Sequence, residues 1–88
     1  MSRAFVNEDS GPPDPVYHLP RRDDPGYDEA AARALIEGAN AGDSYGAESA
    51  TGYRFGEPKL RPHVERILAD AIAEKNERVE QLARRFLR

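Results

Sequence analysis

The sequence predicts an all-α fold, a small domain of three or four helices behind an extended, Pro-rich N-terminal segment. Three observations point there. Apolar residues recur at spacings of three and four along residues 60–87. The tract EAAARALIEGANAG at 29–42 is dense in alanine, the best helix former. No stretch alternates apolar and polar residues with period two over a useful length, so no sheet is expected. With 88 residues the chain holds one small domain at most.

Residues 1–26 read as the tail and 27–88 as the helical domain. Five of the seven prolines (Pro12, Pro13, Pro15, Pro20 and Pro25) lie in this tail. Proline has no N–H to give a helix and biases the residue before it towards extended backbone. Apolar residues are sparse there, which predicts a mobile segment over 1–15. Two short islands interrupt it, Ala4-Phe5-Val6 and Val16-Tyr17-His18-Leu19. The second is expected to dock at 16–19, because a small body gains much from one apolar strip.

The first helix is predicted over 28–41. Asp24-Pro25-Gly26-Tyr27 forms a turn, and Asp28 follows as the capping residue. Ala31, Ala34, Leu35 and Gly38 share a face with Ala32, Ile36 and Ala39 beside it. Gly42 is a natural stop. Next, residues 38–58 hold five of the seven glycines and three of the seven aromatic residues. Asp43 or Ser44 caps a shorter helix over 44–54, weakened by Gly46 and Gly52 at about 1 kcal/mol each. This stretch is expected to be a short helix with loose joints, connecting two better ones.

Gly56-Glu57-Pro58 ends that segment. Pro62 fits a helix only in its first turn, so the third helix starts near 57–60 and runs to 74. The tract Glu74-Lys75-Asn76-Glu77 carries no apolar residue. Asn76 is placed to cap a fourth helix over 77–87. A single helix from 60 to 87 would lose its apolar beat at Lys75. The expected core is Leu35, Ile36, Val64, Ile67, Leu68, Ile72, Val79, Leu82 and Phe86.

Composition narrows the chemistry. Net charge is −3, which gives no basic field for nucleic acid, and no direct nucleic-acid binding is expected. There is no cysteine, which removes disulfides, thiolate nucleophiles and cysteine zinc sites. No apolar run approaches a membrane span, and the opening lacks the apolar core of a secretory signal. A cytoplasmic protein without a membrane role is expected. His18 and His63 have no second histidine at helical spacing, and no phosphate loop or nucleophile elbow occurs. The chain is therefore read as a non-enzyme without cofactor, with no catalytic or metal-binding residues. Asp43 and Glu48 are the alternative metal pair; otherwise Asp43 caps a helix and Glu48 is solvated. Tyr17, Tyr45, Tyr53 and Phe55 are the interaction candidates, better suited to packing against protein than to stacking on bases. The terminal Arg84-Arg85-Phe86-Leu87-Arg88 complements the helix dipole.

The opening MSRAFVNED resembles the start of the Gre-factor family, bacterial factors that enter the secondary channel of RNA polymerase. Ala39-Asn40-Ala41-Gly42-Asp43-Ser44 is similar to the approach to that family's hairpin tip. Leu60-Arg61 through Arg66-Ile67-Leu68 is similar to the returning arm. The resemblance implies a long antiparallel helical hairpin and a partner in RNA polymerase. It also implies tip acids that hold a catalytic magnesium, with Asp43 as the first and Glu48 as the second across an insertion. It stops short of the family's C-terminal β-rich domain. A protein-interaction module associated with transcription is the expected function. The alternative is a minimal divalent-metal-dependent transcript-cleavage factor using Asp43 and Glu48.

Overall fold

A computed structural model describes residues 17–88. Val16 and the tail expected to be mobile lie outside the described residues. Those described form an all-helical body: α1 over Tyr27–Asn40, α2 over Ser44–Thr51, α3 over Arg61–Glu74 and α4 over Glu77–Leu87, with a 3-10 turn at Pro58–Leu60. They contain no strand. α1 is the central element, in contact with each other helix, whereas α2 packs on α1 alone. α3 and α4 make the most extensive helix pair.

α1 begins one residue earlier than expected. Gly26 takes the capping position, and Asp28 lies in the first turn, where its negative charge suits the helix dipole. The Asp24 carboxylate instead accepts from the Gly26 amide at 2.7 Å, closing the preceding turn. Pro62 falls in the first turn of α3, where its missing N–H costs no helical bond. The break between α3 and α4 is at Lys75, which adopts left-handed backbone (φ 59°). The Asn76 side chain then accepts from the Val79 amide at 3.2 Å and caps α4. Arg61 donates to the Leu87 carbonyl at 2.9 Å, and Arg78 donates to Asn40 at 2.9 Å. These two bonds tie the C-terminal end of α4 to the start of α3, and its start to the end of α1.

The core combines Tyr27, Leu35, Ile36, Leu60, Val64, Ile67, Leu82 and Phe86 with the alanines Ala31, Ala32, Ala47 and Ala83. The small side chains let α1 come close to its neighbours, so tight backbone approach substitutes for bulk. Two expected core members, Leu68 and Val79, are only half-buried, packing on the core's margin. Ile72 is a correction: it is 49% exposed. Val64, Ile67 and Ala71 already fill the side of α3 facing inward, and Ile72 lies about 100° around the helix from Ala71. Only one stripe of a surface helix in so small a body can be covered.

Candidate functional site

The glycine-rich stretch and the extended segment before α1 meet on one side of α1. Tyr17 lies against Gly38, where an added Cβ would stand 3.0 Å from the Tyr17 hydroxyl and 2.5 Å from the Ala47 Cβ. Glycine at 38 is therefore what allows α2 and the Tyr17 segment to approach α1 together. The Tyr17 hydroxyl donates to Asp43 Oδ2 at 2.8 Å. Burial, that bond and the adjacent Asp43 charge push the phenol up to about 12, because each disfavours phenolate. Tyr17 and Leu19 both pack on the core. Of the segment expected to dock at 16–19, Val16 lies outside the described residues and His18 is exposed.

Asp43 sits at the capping position of α2, yet its side chain makes no cap bond. The expected capping role is corrected: its carboxylate serves Tyr17 instead. Glu48 is likewise not simply solvated, since Oε2 accepts from the Phe55 amide at 3.0 Å and the residue is half-buried. The two acids are five positions apart, about 140° around a helix, and they hold different segments. Among the described residues no three His, Asp or Glu side chains cluster as a metal site.

α2 ends at Thr51, short of residue 54. Gly52 there takes left-handed backbone (φ 79°), a conformation that costs glycine little and other residues more. On α2 Ala50 is exposed and Thr51 is buried. The buried Thr51 hydroxyl donates to the Ala47 carbonyl at 2.8 Å and accepts from the Tyr53 amide at 3.1 Å. The Tyr27 hydroxyl donates to the Thr51 carbonyl at 2.8 Å. Tyr53 donates to Asp28 Oδ1 at 2.8 Å, and that bond, followed by desolvation, raises its pKa. Phe55 meets Phe86 edge to face at 4.8 Å between ring centres. The Arg22 guanidinium lies 5.3 Å from the Tyr27 ring centre, within cation–π range.

Of the four interaction candidates, then, Tyr17, Tyr53 and Phe55 are half-buried and bonded or packed internally. Tyr45 projects from α2 and is 81% exposed. His18 is exposed beside Tyr17, at the edge of a hollow of about 210 Å³ shared with Arg33 and Glu37. Sequence reasoning missed Tyr27 and Thr51 as organisers of the joint. The signal available was a threonine beside Gly52, on the same helical side as Ala47.

No family model, curated protein or solved structure matches the chain. The longest helices among the described residues, α1 and α3, have 14 residues each, about 21 Å. That is short of the long hairpin arms implied by the Gre-factor resemblance. No helix of the described residues is long and apolar enough to cross a membrane.

Proposed function

We propose that the protein is a small helical protein-interaction module without catalytic activity of its own, with a partner in the bacterial transcription machinery. The supporting observation is Tyr45. The other candidate aromatics are spent on internal packing, whereas Tyr45 stands clear of the fold on a helix that contacts α1 alone. Tyrosine is a frequent anchor of protein interfaces, because it offers a large rigid apolar face and a polar tip. The link to transcription rests on the resemblance of MSRAFVNED to the Gre-factor opening. A location in the cytoplasm goes with that partner.

Immobilised protein should retain purified bacterial RNA polymerase, and Tyr45→Ala should lower retention about tenfold or more if Tyr45 is an anchor. Polymerase passing through unretained would remove the transcription link. Retention unaffected by Tyr45→Ala would move the interface elsewhere. For the metal-dependent cleavage reading, magnesium or manganese titration followed by NMR is decisive. Selective, saturable shifts at Asp43 and Glu48 would favour it over the non-catalytic module.

A further inference from the structure

Away from the glycine-rich joint, α1, α3 and α4 leave a groove between them. A hollow of about 120 Å³ is lined by Arg33, Ile36, Glu37, Ile67 and Val79. A wider one of about 320 Å³ adjoins it, sharing Arg33, Ile67 and Val79 and adding Asp70, Ala71, Glu74 and Asn76. The floor is aliphatic and the rim is charged. Arg33 is held by Glu29 one turn back, at 3.6 Å. Glu37, Asp70 and Glu74 are exposed and have no ion-pair partner among the described residues. With Arg33 offset by Glu29, the rim presents a surplus of negative charge.

We propose that this groove binds a basic segment of a partner protein. One aliphatic side chain of that segment seats on Ile36, Ile67 and Val79, and its arginines or lysines lie against Glu37, Asp70 and Glu74. This goes beyond the Tyr45 interface by adding a second contact surface, and it rests on the interaction-module reading. Size sets the anchor: a cavity near 150 Å³ accommodates benzene, so 120 Å³ suits one leucine or valine and little more. Charge sets the flanks, since an acidic segment would meet three unpaired carboxylates at once. Exposed pairs of this kind contribute modest affinity and mainly speed encounter and exclude wrong partners. The complex is accordingly weak and salt-sensitive.

The probe is a capped synthetic peptide with one leucine flanked by two arginines on each side, titrated into the 88-residue chain. Saturable NMR shifts are expected at the Ile36, Ile67 and Val79 methyl groups. The Glu37→Gln, Asp70→Gln, Glu74→Gln triple variant should bind about tenfold more weakly, the sum of three exposed pairs. All three side chains are exposed, so the variant keeps its fold, and an unchanged circular dichroism spectrum checks this. A peptide with glutamate in place of arginine should leave the methyl signals unmoved. Equal binding of the two peptides, or shifts confined to the surface around Tyr45, would overturn the proposal. So would the same methyl shifts arising on concentrating the protein alone, which would make a second copy the occupant. If RNA polymerase is retained equally by the triple variant while the peptide fails to bind, the groove assignment falls and the interaction-module reading stands.

Discussion

The Tyr17 hydroxyl donates to Asp43 Oδ2 at 2.8 Å across 26 positions of chain, latching the segment before α1 onto the joint between α1 and α2. The bond is partly buried and its acceptor is charged when ionised, so it is stronger than a neutral surface bond. Tyr17→Phe keeps the ring packing and removes only this bond. It should cost about 1 kcal/mol in urea denaturation. Tyr17→Ala should cost more, because the ring itself packs on the core. A double-mutant cycle with Asp43→Asn should return a non-zero coupling; additive losses would mean that the bond contributes nothing.

Alkaline pH should weaken the fold through the same residue. Tyr17 is pushed up to about 12 in the folded protein against 10.0 for a free phenol. Above pH 10 the unfolded chain releases that proton first, so it binds fewer protons than the native state and stability falls with pH. The contribution is complete below pH 10 and is lost as pH rises through 12. Tyr17→Phe should flatten this part of the stability–pH curve. An unchanged alkaline slope in the variant would assign the loss to other groups.

Gly38→Ala should destabilise the protein, although alanine is the better helix former. The new methyl would meet the Ala47 Cβ at 2.5 Å and the Asp43 carbonyl at 3.0 Å, and neither belongs to the end of a flexible side chain. Overpacking of this kind costs about 1–3 kcal/mol, which exceeds the gain of up to about 1 kcal/mol in propensity. Thermal unfolding measures the sign directly, and a raised Tm would show that α2 slides away at little cost.

The turn between α3 and α4 should separate into two opposite effects. Lys75 is left-handed at φ 59°, a conformation that burdens a residue with a Cβ by about 1–2 kcal/mol. Lys75→Gly should therefore raise stability, by less than that amount because glycine also loosens the unfolded chain. Asn76→Ala removes the α4 cap and should cost about 1 kcal/mol. Chemical denaturation of both variants tests whether the break between the helices is built as described.

Side chains of α3 and α4 should be graded by depth. Phe86 is 1% exposed, and Phe86→Ala should cost about 3–5 kcal/mol, enough to unfold much of so small a domain. Ile72→Ala should change stability by about 0.5 kcal/mol or less, as its side chain is substantially in water. Leu68→Ala should fall between them. Equal losses at Ile72 and Phe86 in a denaturation series would show that α3 is rotated from the position described.

The sequence by itself determined whatever depends on neighbours along the chain. Alanine density, the three-and-four spacing, Pro62 in a first turn and Asn76 at a cap are local signals, and the helices stand within a few residues of where those signals put them. It also marked Tyr17 and Leu19 as a strip with reason to dock. Tertiary structure alone decided how the polar groups were used. Asp43 has a helix to cap, but Tyr17 arrives from 26 positions away and takes its carboxylate; Glu48 accepts from the Phe55 amide. Ile72 continues the apolar stripe of α3, yet a helix has more circumference than so small a body can cover. Periodicity identifies which residues share a side of a helix. Which side is covered, and which acid meets which hydroxyl, depends on packing between segments distant in the chain, and local spacing does not carry that information.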